Sequence, residues 1–166
     1  MKKFAGLLVL GLFAAGLATV PPPRAVDAQA GAAAAKGTDI KWTEDYKAAL
    51  ETAKKDKKMV LLDFTGSDWC PPCKALNATV LTSDAFAQWT KDTFVLVDLD
   101  YPRAKPQDDA TKKQNADLAK QYGIEGYPTI IILNSDGKEI GRQVGYGGEK
   151  PDEFIAAREK EIKAAK

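Results

Sequence analysis

The two cysteines of the chain lie three positions apart, in Cys70-Pro71-Pro72-Cys73, shortly after an apolar run at residues 59–65. A nearly continuous apolar run of this length is typical of a strand that is buried in a parallel sheet. Residues 70–81 then have the character of a helix, which places both cysteines on its first turn. A buried strand followed at once by a helix predicts an α/β fold with this pair where strand and helix meet.

The position of Cys70 at the start of a helix has chemical consequences. The free N–H groups and the partial positive charge of a helix N-terminus stabilise an anion. We therefore expect the pKa of the Cys70 thiol to be lowered and its thiolate to be a nucleophile at neutral pH. Cys73 lies one turn further into the helix, where we expect it to be shielded and to resolve a mixed disulfide.

Other uses of the cysteine pair fit the sequence less well. A tetrahedral zinc site needs four ligands, and the chain has no histidine and no third cysteine, so we expect no metal site. A purely structural Cys70–Cys73 disulfide is the alternative in an exported protein. A bridge that closes so short a loop restricts the unfolded chain little and therefore stabilises little.

The spacing of apolar residues predicts alternating helices and strands along the rest of the chain. In chain order these are a helix at 43–56, a strand at 59–65, a helix at 70–81, a short helix at 83–89, a strand at 94–99, a helix at 112–122, strands at 129–133 and 139–144 joined by a hairpin turn, and a helix from 152 onwards. The order indicates a mixed sheet with helices on both faces. Residues 101–111 form a polar loop on the same side as Cys70, either a contact for a partner or a solvated insertion.

Residues 1–30 have the pattern of an export signal. Lys2 and Lys3 precede an uncharged apolar run at 4–20, and small residues at 28–30 offer a cleavage site. We expect a signal peptide at 1–30, a linker at 31–39 and one domain at 40–166, in the periplasm or otherwise exported. An uncleaved signal anchor, which would attach the protein to a membrane, is the alternative.

The charge balance argues against one class of partner. Cleavage after residue 30 removes three of the 24 basic and one of the 23 acidic residues, which leaves a formal charge of −1. A near-neutral protein of this kind has no electrostatic footprint for nucleic acid.

Two segments of the chain resemble the thioredoxin superfamily, in particular its periplasmic thioredoxin-like branch. Trp69 to Lys74 matches the family motif Trp-Cys-x-x-Cys-Lys, and Tyr122 to Thr129 resembles the segment that leads into the family's cis-proline strand. The resemblance extends over about residues 42–162. It implies a thioredoxin fold, with a mixed four- to five-stranded sheet flanked by helices on both faces and an active site at the sheet edge.

The resemblance also implies roles for individual residues. Pro128 is expected to follow a cis peptide bond and to face Cys70, with an ordinary trans proline as the alternative. The backbone of Tyr127 would then pair with an extended substrate segment. Gly145 matches the groove glycine of the family, or it simply ends a strand. Trp69 is expected at the rim of the substrate site rather than in the core.

Asp63 lies inside the apolar strand that precedes the cysteines. Burial should raise the pKa of this carboxyl, which would then be able to take the proton of Cys73 during resolution. Thioredoxins carry an acid in this region, but here the segment between the acid and Cys70 is one residue longer, and no lysine occupies the strand at 94–99 as its partner. A strand-end aspartate bonded to the backbone is the alternative.

These features predict a thiol–disulfide oxidoreductase that acts on protein thiols and disulfides, most simply as a monomer. No cofactor is required, but an unidentified protein must donate or accept electrons. Pro71 and Pro72 have no N–H to stabilise the Cys70 thiolate, which favours the reductase direction. The alternative is a redox-inert binding module that recruits a partner through Trp69, Tyr127 and the 101–111 loop.

Overall fold

The computed structural model describes residues 40–165. The signal peptide expected at 1–30 and the linker expected at 31–39 lie outside the described residues. In chain order the elements are β1 (Trp42–Thr43), α1 (Tyr46–Asp56), β2 (Met59–Thr65), α2 (Pro71–Leu76), a π-helical turn (Asn77–Leu81), α3 (Asp84–Thr90), β3 (Phe94–Asp100), α4 (Asp109–Gln121), β4 (Thr129–Leu133), β5 (Glu139–Val144) and α5 (Pro151–Ala164).

The five strands form one mixed sheet in the order β1-β3-β2-β4-β5. Strands β1, β3 and β2 run parallel, while β4 and β5 pair antiparallel, as the hairpin pattern predicts. The expectation of a mixed sheet is therefore confirmed. The sequence pattern did not indicate β1, because two residues are too few to show an alternation of side chains.

Side chains on the two faces of the sheet build two separate apolar clusters. Alternate residues of β2 point to opposite faces, so that Leu61 joins one cluster while Val60 and Leu62 join the other. Helices α2, α3 and α5 contribute to the first cluster, and α1 and α4 contribute to the second. The prediction of helices on both faces is confirmed, and it explains why the central strands are apolar throughout.

Three predicted helix boundaries were wrong. Helix α1 begins at Tyr46 and not at residue 43, because Asp45 caps it by accepting the N–H of Ala48 at 2.9 Å. Helix α4 begins at Asp109 and not at 112, because Asp108 is its cap; the loop therefore spans 101–108. The helix predicted at 70–81 is α-helical only to Leu76 and continues as the wider π-helical turn.

The parallel strands bring two loops to one edge of the sheet. Strand β2 leads into residues 66–70 and strand β3 leads into residues 101–108, and the register pairs Thr65 with Asp100 at the strand ends. The loop that carries Cys70 therefore lies beside the polar loop. Within residues 40–165 no helix is long and apolar enough to span a membrane.

Candidate active site

Cys70 and Cys73 are joined in a disulfide at the first turn of α2, with their Cα atoms 5.3 Å apart. Cys70 is the N-cap residue, and its sulfur accepts the backbone N–H of Cys73 at 3.3 Å. Both cysteines are buried, at 2% and 3% exposure, so burial does not distinguish them in the disulfide form. Their positions on the helix distinguish the two cysteines, because only Cys70 precedes the first helical turn.

Two prolines limit the hydrogen bonds that reach Cys70. An N-cap side chain normally accepts the N–H of the second or third helical residue. Pro71 and Pro72 occupy the first and second helical positions and have no N–H. Cys73 in the third position is thus the backbone donor that this turn provides to the sulfur.

Trp69 holds the cysteine loop against the polar loop. Its indole Nε1 donates a 2.8 Å hydrogen bond to the carbonyl of Tyr101, and its ring packs edge-on against Tyr127 with centroids 5.7 Å apart. The guanidinium of Arg103 lies 3.8 Å from the centre of the same ring. A Cβ on Gly66 would come within 2.5 Å of the indole, so this close packing requires glycine at 66. The half-buried indole joins both loops.

Asp68 fixes the first part of the polar loop. Its carboxylate accepts the consecutive backbone N–H groups of Arg103, Ala104 and Lys105 at distances from 2.6 to 3.2 Å. The hydrogen bond from Ala104, followed by those from Arg103 and Lys105, lowers the pKa of Asp68 below its usual value. Residues 103–105 are thus held in place beside the cysteines by a carboxylate of the cysteine loop itself.

A second contact ties the cysteine loop to the end of β3. The carboxylate of Asp100 accepts the backbone N–H of Ser67 at 2.8 Å and its hydroxyl at 2.6 Å. Lys105 donates to the same hydroxyl at 3.0 Å. Ser67 on one side of Asp68 and Trp69 on the other are therefore both hydrogen-bonded to the end of β3 or to the loop that follows it.

Pro128 and Gly145 lie together at the ends of β4 and β5. The Tyr127–Pro128 peptide bond is cis, and Pro128 is buried. Gly145 donates its N–H to the carbonyl of Pro128 at 2.7 Å and has a φ of +77°, a conformation that favours glycine. Next to it, Val144 is a large apolar side chain with 62% exposure.

Asp63 lies in the middle of β2, on the same face of the sheet as α2. It is 7% exposed, and its Oδ1 has no hydrogen-bond partner among residues 40–165. Burial raises the pKa of Asp63 well above its usual value, and the nearby carboxylates of Asp98 and Asp100 raise it further. This carboxyl therefore keeps its proton to a higher pH than an exposed aspartate does.

Two parts of the site were not found from the sequence. Asp98 lies directly beside Asp63 in the register of β2 and β3. Asp98 carries the same sequence signal as Asp63, an acid within an apolar strand, but only the register shows that the two are neighbours. The role of Asp68 has no sequence signal, because it depends on the path of the loop at 103–105. In the described part of the chain, no three acidic or cysteine side chains are grouped so as to hold a metal ion.

Known proteins are similar to this chain in sequence and in fold. Residues 46–161 match the family model of a thioredoxin-like domain. The chain is 33% identical over 104 residues to the disulfide bond reductase DsbH of Chlamydia pneumoniae, an alignment that covers 63% of this chain and 62% of the relative. It is 32% identical over 139 residues to the thiol:disulfide interchange protein DsbD of Neisseria meningitidis, which covers 82% of this chain but 21% of that protein.

A solved structure agrees with the fold. The structure of a DsbH oxidoreductase superposes with a TM-score of 0.70 at 27% identity, covering 75% of this chain and 85% of that chain. The expected thioredoxin fold is therefore confirmed. Because the family model matches residues 46–161, a range that covers most of the described domain and includes both cysteines, the chain belongs to the thioredoxin-like family.

Proposed function

We propose that this protein is a thiol–disulfide oxidoreductase that reduces protein disulfides outside the cytoplasm. The observation that carries the proposal is the Cys70–Cys73 disulfide at the N-terminus of α2. Such a bridge stabilises little as a structural link, but it can be opened and closed in exchange reactions. The relatives named a disulfide bond reductase and a thiol:disulfide interchange protein support the same chemistry.

The reaction runs in two exchanges. The Cys70 thiolate attacks a substrate disulfide, so that a Cys70–substrate disulfide forms and one substrate sulfur leaves as a thiolate. Cys73 then attacks the Cys70 sulfur, which releases the second substrate thiolate and closes the Cys70–Cys73 disulfide. The substrate gains two electrons and the protein loses two. An external protein dithiol must reopen the bridge for the next cycle.

Neighbouring residues serve these exchanges. Asp63 accepts the proton of Cys73 during the second exchange, because it is buried on the face of the sheet that carries α2. Pro128 and Gly145 shape one wall of the substrate groove, and the backbone of Tyr127 pairs with an extended substrate segment. Trp69, which packs against Tyr127, forms the rim.

The cellular setting is part of the proposal. Lys2, Lys3 and the apolar run at 4–20 support export by a signal peptide at 1–30, with a linker at 31–39 before a domain at 40–166 that acts as a monomer. Mass spectrometry of the exported protein should find a chain that begins near Gly31. Residues 1–20 still attached would instead indicate a membrane anchor.

Cysteine variants test the mechanism. Cys70→Ser should abolish reduction of insulin disulfides, whereas Cys73→Ser should still attack but stop at the mixed disulfide, which mass spectrometry can detect. A Cys73→Ser protein that turns over like the parent contradicts the two-step mechanism. If the parent protein itself reduces no disulfide, the alternative of a redox-inert module that binds a partner through Trp69, Tyr127 and the polar loop is favoured.

A further inference from the structure

A pocket of about 640 Å³ lies on the face of the sheet that carries α2. Its lining includes Cys73, Asp63 and Asp98. Asn77 and Thr82, also in the lining, are exposed side chains, so the pocket opens to solvent. The resolving cysteine and two carboxyl groups therefore share one space that is connected to the outside.

The two carboxyl groups are direct neighbours across β2 and β3. The register pairs Asp63 with Asp98, and neighbouring strands lie about 4.8 Å apart with paired side chains on the same face. The Oδ1 atoms of both groups are buried and have no hydrogen-bond partner among residues 40–165. Buried polar atoms are nearly always hydrogen-bonded, so a neighbouring pair of unpartnered oxygens calls for an explanation.

We propose that Asp98 acts through Asp63 as a proton relay, in which the two carboxyl groups hold one proton between them and pass the proton of Cys73 to solvent in the pocket. The inference rests on the proposed function, because the proton is released when Cys73 resolves the mixed disulfide. In this relay Asp98 acts on the reaction through Asp63 and is its positioning residue.

A single shared proton would give the two unpartnered Oδ1 atoms a hydrogen bond to each other. Two adjacent carboxylates, one buried and one half-buried, resist double ionisation, because like charges in a largely desolvated site repel strongly. A proton on one carboxyl supplies a donor for the unpartnered oxygen of the other. Burial, then Asp100 and Glu44, raises the pKa of Asp98 to about 6, while Lys105 acts in the opposite direction.

The charged groups around the pair have other roles or lie further out. On β3, Asp100 is occupied by its two hydrogen bonds from Ser67. On α2, Lys74 donates to the carbonyl of Asp68 at 2.8 Å. Glu44, between β1 and α1, is exposed. Among these groups Asp98 is therefore the one that lies directly beside Asp63, half-buried but with its Oδ1 atom buried.

The relay step balances within the second exchange. The Cys73 thiol gives its proton to the Asp63 carboxyl as its sulfur attacks Cys70. The proton already held by the pair shifts towards Asp98, which faces the pocket. The electron pair of the broken bond leaves with the substrate thiolate, and Asp98 later releases one proton to water in the pocket. The pair returns to its state with a single proton.

The pH profile of resolution tests the relay. Reduced protein is mixed rapidly with a peptide disulfide, and release of the peptide from Cys70 is followed across the pH range by acid quench and mass spectrometry. In the parent, the base is a pair that already holds one proton and takes up a second only at lower pH. In Asp98→Asn the base is the desolvated Asp63 carboxylate alone, which binds its first proton at higher pH, so the midpoint of the profile should rise by about one pH unit. The control Glu44→Gln removes a nearby negative charge but keeps the pair, and its midpoint should not rise.

Two results would overturn the relay. A midpoint that falls in Asp98→Asn would mean that Asp98 only repels charge on Asp63, and an unchanged midpoint would mean that Asp98 plays no part. Asp98→Glu restores a carboxyl and should move the midpoint back towards that of the parent. An Asp98→Glu midpoint that stays at the value of Asp98→Asn would likewise contradict the proposal.

A measurement on the parent protein needs no variant. Carbon-13 NMR of the aspartate carboxyls in the oxidised protein should show two titration steps in each of the Asp63 and Asp98 resonances, because the groups titrate as a pair. Two independent single-step curves would refute the shared proton. This measurement does not depend on turnover, so a parent that reduces no disulfide would defeat the proposed function while leaving the pair testable.

Discussion

At the scale of single residues, the thiolate of Cys70 depends on a small number of donors. The sulfur occupies the N-cap of α2, where two helical N–H groups would normally be within reach. Pro72 removes one of them, and the N–H of Cys73 remains at 3.3 Å. A less stabilised thiolate means a less stable reduced form, which is the direction expected of the proposed reductase.

Substitution of Pro72 should change the redox potential. We expect the potential of the parent to lie closer to that of thioredoxin, about −270 mV, than to that of strong oxidants, about −120 mV. Pro72→Ala returns an N–H at the second helical position, so its Cys70 pKa should be lower and its potential more oxidising than those of the parent. Equilibration with glutathione buffers measures both proteins. Pro71→Ala is the matched control, because the first helical N–H does not reach an N-cap side chain. Equal shifts in both variants would show that the donor argument is wrong.

Some residues of the site can be predicted from the sequence immediately around them. Cys70, Cys73 and Asp63 could be singled out because an N-cap position and an acid in an apolar strand are visible in the sequence itself. Asp98 carries the same signal as Asp63, but its meaning depends on the register of β2 and β3, which places it beside Asp63. Pairwise placement of this kind is set by tertiary structure and not by either segment alone.

At the scale of elements, the polar loop at 101–108 is an ordered wall of the site. Asp68 holds three successive backbone N–H groups, and Trp69 holds the carbonyl of Tyr101. The sequence of this loop fits a contact for a partner and a solvated insertion equally. Its length and polarity were visible, but the carboxylate that orders it comes from another loop.

Removal of the Asp68 charge should release this loop. Hydrogen bonds lower the pKa of Asp68 in the folded protein. The stabilisation that its carboxylate gives to the folded loop is therefore present above the usual aspartate pKa and is lost as the pH falls through the lowered folded pKa. Asp68→Asn should therefore speed amide hydrogen exchange at residues 103–105 at neutral pH, with little change in the strands. Asp109→Asn, an exposed acid in α4, is the control. Unchanged exchange at 103–105 would mean that the loop is held by other contacts.

At the scale of the whole molecule, the sheet separates two apolar layers that differ in one respect. The layer under α1 and α4 is formed by apolar residues around Val60, Leu62 and Phe64. The layer under α2 carries Leu61 but then Asp63 at the next position on that face. Because successive side chains of β2 point to opposite faces of the sheet, one face is apolar along the whole strand, while the other carries an acidic group next to Cys73.

This arrangement should make the protein more stable in mild acid than at alkaline pH. The folded state raises the pKa of Asp63 and Asp98, so it binds protons more tightly than the unfolded chain, and the free energy of unfolding falls as the pH rises from the usual value of 3.8 through the folded values. For Asp98, a rise to about 6 corresponds to roughly 3 kcal/mol, at about 1.4 kcal/mol for each pKa unit. Urea unfolding of the oxidised protein between mildly acidic and mildly alkaline pH should show this fall, and Asp98→Asn should flatten it. Asp92→Asn, which removes an exposed charge before β3, should keep the slope of the parent. A parent whose stability rises with pH over this interval would show that the carboxyl pair does not carry a proton in the folded state.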